Sequence, residues 1–135
     1  MKSEKGVRPL FPPGGIWGLT PFLLAPNIAF GAGDPKAGEQ VYSRCLACHA
    51  IDYDRTGPHH CGLIGRKAGS VPGFQYSEAM KKSGIVWNAK TLDQFIRDPL
   101  KTVPGTAMGY DGVKDPKERA DLIAYLVAAG PCKKQ

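Results

Sequence analysis

Apolar residues recur three or four positions apart in four stretches of the chain, which is the spacing of amphipathic helices. The first predicted helix begins where Asp34 can cap the N-terminus and Pro35 can occupy the first helical position. Two cysteines, Cys45 and Cys48, lie at its end. The residues expected on its apolar face are Ala37, Val41, Tyr42 and Cys45.

The other three predicted helices lie in the second half of the chain. A short one covers residues 77–82 and stops near Gly84. Another covers residues 89–97, buries Leu92, Phe95 and Ile96, and is ended by Asp98 and Pro99. No segment shows sustained alternation of apolar and polar residues, so strands are not expected.

The last helix has the clearest boundaries. Asp115 and Glu118 are spaced as a capping box around Pro116, and Gly130 with Pro131 ends the helix. Its apolar face consists of Leu122, Ile123, Tyr125 and Leu126. The chain is therefore predicted to be all-α, with three main helices, short helical turns and long loops.

The length and the loop content indicate one domain that needs help to form a core. The chain has 135 residues, with 17 Gly and 12 Pro. A domain with elements this short buries little apolar surface, and a bound cofactor would supply what is missing.

Residues 1–31 have a different character from the rest. Lys2, Lys5 and Arg8 precede an apolar stretch at 16–30, and small residues follow it. This order is typical of a secretory signal peptide, cleaved between positions 29 and 32, which leaves residues 32–135 as the mature domain. The prolines within the stretch leave a disordered or interfacial tail as the alternative, and a transmembrane helix is the least favoured reading.

The formal net charge is +6. A mild positive charge suits transient docking on acidic protein surfaces. The dense basic stripe with interleaved aromatic residues that is typical of nucleic-acid binders is absent from the sequence, so no nucleic-acid partner is expected.

The segment 45–49 reads C-L-A-C-H, the attachment pattern of a c-type haem. Two thiols one helical turn apart can form thioethers with the two vinyl groups of one porphyrin, and the adjoining His49 is then held under the iron. The alternatives are a thioredoxin-like redox pair, half of a zinc site, and chance. The redox pair would need a βαβ context, and zinc would need a second ligand pair that Cys61 and Cys132 do not form.

The other axial position of the iron could be filled by a methionine. Met1 lies in the leader, and Met80 lies on a short amphipathic helix where such a residue is more often core filler. Met108 lies in the turn-rich segment V-P-G-T-A-M-G-Y at 103–110, whose rigid backbone could aim a thioether inward. A thioether favours ferrous iron and raises the reduction potential.

The sequence resembles the class I cytochromes c, both mitochondrial and bacterial c2, over nearly all of residues 33–130. The segments that carry the resemblance are C-L-A-C-H at 45–49, G-P at 57–58, G-L-I-G-R-K-A-G-S at 62–70, P-G-F-Q-Y-S at 72–77, G-I-V-W at 84–87, V-P-G-T-A-M at 103–108 and D-L-I-A-Y-L at 121–126. The resemblance implies one covalent haem wrapped by helices and loops, with only an edge exposed.

The resemblance also implies roles for individual residues. His49 and Met108 become the axial ligands, and the Pro58 carbonyl orients the His49 ring. Hydrogen-bond donors near a buried haem propionate are expected at Arg66, Tyr76, Trp87 and Thr106. A ring of cations for docking is expected at Arg44, Arg55, Lys101 and Lys114. His60 stands where the family has an apolar residue, and we interpret it as a neutral, packed imidazole.

The implied function is single-electron transport, without substrate chemistry, by a monomer in the bacterial periplasm. Expected partners are a bc-type complex, an oxidase, a reaction centre or a periplasmic dehydrogenase chain. A haem enzyme or gas sensor with a labile Met108, and a tethered subunit that keeps its leader, are the alternatives.

Cys61 and Cys132 remain after haem attachment. Two remaining cysteines in an exported protein most often pair, and the family's helix crossing would bring the C-terminus near the loop that holds Cys61. Two free thiols, or a metal site of His59, His60 and Cys61, are the alternatives.

Overall fold

Residues 32–134 are described by a computed structural model of the protein. The predicted leader at 1–31 lies outside these residues. The helices are α1 (Pro35–Tyr42), α2 (Glu78–Lys82), α3 (Ala89–Arg97), α4 (Pro99–Thr102) and α5 (Pro116–Ala129), and a 3₁₀ turn at Ser43–Cys45 extends α1. Among these residues the only β-type pairing is an isolated antiparallel bridge between Lys67 and Val86. The all-α prediction is confirmed.

Helices α1 and α5 cross at very short distance because Gly38 has no side chain. A Cβ atom at Gly38 would overlap the backbone of Asp121 and the Cβ of Tyr125. Asp34 caps α1 by accepting from the Lys36 amide at 2.9 Å, and its own amide donates to the Asp121 carboxylate at 2.8 Å. The cap and the crossing therefore share Asp121, which fixes α1 against α5.

The predicted start of α5 is right, but its capping box is incomplete. Asp115 accepts a hydrogen bond of 2.8 Å from the Glu118 amide, as expected. The Glu118 carboxylate does not return to the cap and instead binds both terminal nitrogens of Arg44, at 2.6 and 2.8 Å. A carboxylate near a guanidinium gains a bidentate ion pair that a backbone amide cannot offer.

The end of the third helix also differs from the prediction. Asp98 and Pro99 end α3, but Pro99 then occupies the first turn of α4, and Asp98 caps α4 by accepting from the Lys101 amide at 3.1 Å. Proline stops a helix that precedes it and starts one that follows it, since its fixed φ suits the first position. The sequence correctly predicts that α3 ends at 98–99, but it does not predict that α4 begins there.

The core lies where α3 and α5 meet the loops. Its buried members include Leu92, Phe95 and Ile96 of α3 and Leu122 and Leu126 of α5. Arg119 of α5 is buried as well, and its Nε donates to Asp93 at 2.7 Å while a terminal nitrogen donates to the carbonyls of Val113 and Lys114. This guanidinium joins α5 to α3 and to the loop that precedes α5.

Within the described part of the chain, every helix is too short or too polar to span a lipid bilayer.

Candidate haem site

A cavity of about 350 Å³ lies between the end of α1, the loops at 56–77 and 106–110, and helices α3 and α5. Much of its wall is apolar core, including Leu63, Leu92, Phe95 and Leu122. All nine predicted cofactor-binding residues line it: Cys45, Cys48, His49, Pro58, Arg66, Tyr76, Trp87, Thr106 and Met108. Residues that are up to 63 positions apart in sequence thus meet at one site.

The two haem-motif cysteines are placed by the 3₁₀ turn after α1. The amides of Cys48 and His49 both donate to the Cys45 carbonyl, at 3.1 and 2.8 Å. This turn sets both thiols and the imidazole on the same stretch of cavity wall. Burial raises the pKa of the Cys45 thiol. Both thiols are free, as attachment to a porphyrin requires.

The His49 ring is held in one tautomer. Its Nδ1 lies 2.8 Å from the Pro58 carbonyl oxygen, which can only accept, so Nδ1 carries the hydrogen and Nε2 keeps its lone pair. Burial lowers the pKa of His49, although the Pro58 hydrogen bond opposes this. The neutral ring therefore presents Nε2 as a potential metal ligand.

Gly57 lies directly against the same ring. A Cβ atom at this position would overlap the ring atoms of His49. The Gly57 amide also donates to the Cys48 carbonyl at 2.6 Å. Sequence reasoning used Gly57 only as part of a family motif, and its steric role was missed because no local pattern reports a contact eight residues away.

His60 packs against His49. The two ring centroids are 4.3 Å apart with an interplanar angle of 22°, and His60 Nδ1 lies 3.1 Å from the Tyr42 hydroxyl. Burial, with the nearby His49, lowers the pKa of His60 to about 3. The interpretation of His60 as a neutral, packed imidazole agrees with these contacts, whereas its bond to Tyr42 was not foreseen.

Two methionines, Met80 and Met108, line the cavity. Met80 is buried on α2. Met108 is half-buried in the loop after α4, and its amide donates to the Thr106 hydroxyl at 3.2 Å. Position in the cavity alone does not distinguish the two thioethers.

The predicted propionate donors line the cavity, but three of them make other contacts. Arg66 donates to the carbonyls of His59 and Cys61, at 2.8 and 3.1 Å. The Tyr76 hydroxyl accepts from the Val71 amide at 3.4 Å. The Trp87 ring packs on Phe95, with centroids 5.1 Å apart.

Cys61 and Cys132 are joined as a disulfide in the structure, with their Cα atoms 4.7 Å apart. The C-terminal segment reaches the loop because the Gly62 amide donates to the Gly130 carbonyl at 2.7 Å. The distance between the two cysteines, which the sequence left unknown, therefore permits the predicted pair. The pairing itself stays a prediction for chemistry to test.

The four predicted docking cations are exposed, but three of them have partners. Arg44 is paired with Glu118, Arg55 donates to the Leu46 carbonyl, and Lys114 donates to the Arg97 carbonyl at 3.0 Å. In the described part of the chain the Lys101 ammonium makes no hydrogen bond or ion pair. The positive field is thus weaker at Arg44 than its sequence position suggested.

The fold and the site together define a helical protein built around a covalently attached haem. The chain belongs to the cytochrome c family, whose profile, described as Cytochrome c, matches residues 35–129. It is 48% identical to a cytochrome c2 of Rhodomicrobium vannielii over 73% of this chain and 81% of that protein. It is 44% identical to the cytochrome c2 of Blastochloris viridis over 82% and 89%.

A solved structure supports the same assignment. Cytochrome cH from Methylobacterium extorquens is 44% identical and superposes with a TM-score of 0.69, covering 71% of this chain and 99% of that one. The protein is accordingly an electron carrier with covalently bound haem c and iron, and not an enzyme.

Proposed function

We propose that this protein shuttles single electrons between membrane or periplasmic redox complexes, with His49 and Met108 as the axial ligands of its haem iron. The observation that carries the proposal is that Cys45, Cys48 and His49 line one cavity with two thioethers. Met108 rather than Met80 is proposed as the ligand because it lies in the segment V-P-G-T-A-M at 103–108 that resembles the family. The haem supplies the reversible ferric/ferrous couple. The protein's own residues attach it, orient its ligands and exclude water.

The residues present fit this group. The thiols of Cys45 and Cys48 are free and lie one turn apart, and His49 offers Nε2 because Nδ1 donates to the Pro58 carbonyl. That hydrogen bond also makes the imidazole a stronger donor to a metal. An apolar wall stabilises the less charged, ferrous form.

Arg66, Tyr76, Trp87 and Thr106 are proposed to stabilise the buried propionate. A buried carboxylate is costly without donors, and the four side chains line the same cavity. Arg66 keeps its guanidinium in place through the carbonyls of His59 and Cys61. Its positive charge is therefore fixed at the wall before any carboxylate is present.

The docking proposal concerns acidic surfaces of a bc-type complex, an oxidase, a reaction centre or a periplasmic dehydrogenase chain. Lys101 and Lys114 are exposed cations, and electrostatic steering by such groups accelerates encounter and weakens with salt. The Arg44–Glu118 pair offsets one positive charge, which favours moderate rather than strong salt dependence.

Export to the bacterial periplasm is proposed from the order of basic, apolar and small residues at 1–31. Mass spectrometry of the protein purified from its native host tests both points at once. We expect a chain that begins between positions 29 and 32 and carries one haem. A full-length mass would contradict the cleavage.

The ligand assignment is tested with two matched variants of cavity-lining thioethers. Met108→Ala should abolish the sulfur-to-ferric-iron absorption band and lower the reduction potential by on the order of 0.1 V. Met80→Leu should keep the band, because Met80 only packs. The opposite pair of results would show that Met80 is the ligand.

A further inference from the structure

A second imidazole lies beside the proposed iron ligand. The His60 ring is almost parallel to that of His49, at a centroid distance of 4.3 Å and an angle of 22°. It is half-buried and lines the cavity. The ring is neither part of the C-L-A-C-H motif nor one of the proposed propionate donors, so its contact with His49 calls for a separate explanation.

His60 is itself fixed in place. Its Nδ1 lies 3.1 Å from the hydroxyl of Tyr42, a residue of α1 that is buried against Tyr125 of α5 at a centroid distance of 5.1 Å. The next residue, Cys61, donates its amide to the Ile51 carbonyl at 2.8 Å. The ring therefore cannot turn without breaking its hydrogen bond to Tyr42 of α1.

We propose that His60, tethered by Tyr42, is a positioning residue that fixes the plane of the His49 imidazole. The inference rests on the proposed ligation by His49. The Pro58 hydrogen bond fixes one edge of the His49 ring, but a single bond still permits the ring to rock about it. The His60 ring, stacked on the face of the His49 ring, removes that freedom. Gly57 leaves no room on the side of the His49 ring that it contacts.

The contacts from His49 through His60 to Tyr42 connect the proposed iron ligand to helices α1 and α5. Because Tyr42 lies in α1 and contacts α5, the orientation of the ligand is coupled to the packing of the two terminal helices. His60 also places a polar ring in a cavity whose wall is largely apolar. Its removal should favour the ferrous state, since a less polar surrounding disfavours the more charged ferric form.

The experiment uses the haem-loaded protein and variants that separate ring from tether. His60→Leu removes both, His60→Phe keeps a stacked ring without the bond, and Tyr42→Phe removes the bond alone. The readout is the ferric low-spin electron paramagnetic resonance signal, whose largest g value depends on the plane of the axial imidazole. Reduction potential is measured alongside.

We expect His60→Leu to shift and broaden that signal and to favour the ferrous state about tenfold, which is about 59 mV for one electron. His60→Phe and Tyr42→Phe should change the signal less. Tyr42→Phe should add nothing in the His60→Leu background, because both act on one contact.

The control is His59→Leu, at a neighbouring histidine that is paired with Asp54 at 2.6 Å and does not line the cavity. It should leave the signal and the potential unchanged. An unchanged signal in His60→Leu, or equal effects of His60→Leu and His59→Leu, would overturn the inference. Failure of the proposed ligation is read separately, as a wild-type signal without an axial imidazole.

Discussion

The two segments that supply the proposed axial ligands are built very differently. The His49 ring is buried, donates to the Pro58 carbonyl, stacks on His60 and contacts Gly57. Met108 is half-buried in a loop that is held mainly by short-range backbone bonds, such as the Gly109 amide to the Ala107 carbonyl at 3.0 Å. Among the described residues nothing hydrogen-bonds to the Met108 sulfur.

The two proposed ligands therefore differ in how far the protein alone fixes their positions. The imidazole is oriented by contacts that exist without the metal, so its position costs little when haem binds. With the proposed ligation, the Met108 thioether would depend on the metal bond for much of its own order. The Met108 bond should therefore be the first to break under stress, and perturbations of the two segments should have distinct signatures.

The largest effect comes from removing the haem that both segments enclose. Replacing Cys45 and Cys48 by Ala leaves a cavity of about 350 Å³ in the core. At about 24 cal/mol per Å³ this amounts to about 8 kcal/mol, an upper bound because the cavity opens at the surface, against a typical total of about 5–15 kcal/mol. We expect largely unfolded, degraded protein by circular dichroism and proteolysis. A cooperatively melting apoprotein would contradict this.

The second-largest effect concerns Cys61, which follows His60 and so lies in the part of the chain that contacts the His49 ring. The predicted disulfide between Cys61 and Cys132 would close a loop with a sequence separation of 71 residues, and loss of such a link costs about 4 kcal/mol in the chain-entropy model. Cys132→Ser is the suitable variant because Cys132 is exposed, whereas Cys61 is buried. The denaturant midpoint should fall while the sulfur-to-iron band at low denaturant is kept.

Thiol titration checks the pairing directly. Denatured, unreduced holoprotein should contain no reactive thiol, and two thiols per haem would show that the cysteines are free. Loss of the sulfur-to-iron band in Cys132→Ser would show that the link acts on the Met108 segment instead.

Local signals in the sequence predicted the helices well. Asp34 and Asp115 cap α1 and α5 as expected, because capping depends on residues within one turn. Ser77, predicted as the first residue of the second helix, is the N-cap of α2 instead. The exceptions are the start of α4 at Pro99, which was not predicted, and contacts over long separations. Glu118 binds Arg44, 74 positions away, and no local pattern reports that a better partner competes for a capping side chain.

The site was predictable as a set of residues but not as a set of contacts. The motif at 45–49 and the family resemblance named residues that do line one cavity. They did not reveal that Arg66 binds two backbone carbonyls, that Tyr42 binds His60, or that Gly57 lies under His49. These contacts depend on the close packing of loops, which composition and periodicity do not encode.

A smaller effect compares the two segments by the same substitution. Gly57→Ala places a Cβ inside the His49 ring, and such overpacking costs about 1–3 kcal/mol. Gly109→Ala lies one residue after Met108, where a Cβ would meet nothing within 4 Å. Chemical denaturation of both holoproteins measures the difference. We expect a clear loss of stability for Gly57→Ala and almost none for Gly109→Ala. Equal losses would mean that the Met108 loop is as tightly packed as the His49 segment.

The smallest effect concerns the hydrogen bond that steadies Met108. Thr106 is buried, and its hydroxyl accepts from the Met108 amide at 3.2 Å. Thr106→Val keeps the shape and removes the acceptor, which costs about 1 kcal/mol and weakens the Met108–iron bond about fivefold if the cost falls on the bound form alone. The sulfur-to-iron band should therefore vanish at lower denaturant than the helical signal does.

Thr91→Val is the control, because Thr91 makes comparable hydrogen bonds at the start of α3 and does not line the cavity. It should lower the stability of the whole fold while band and helix are lost together. If the two variants behave alike, the Met108 loop unfolds only with the rest of the protein, and the contrast between the two ligand segments is wrong.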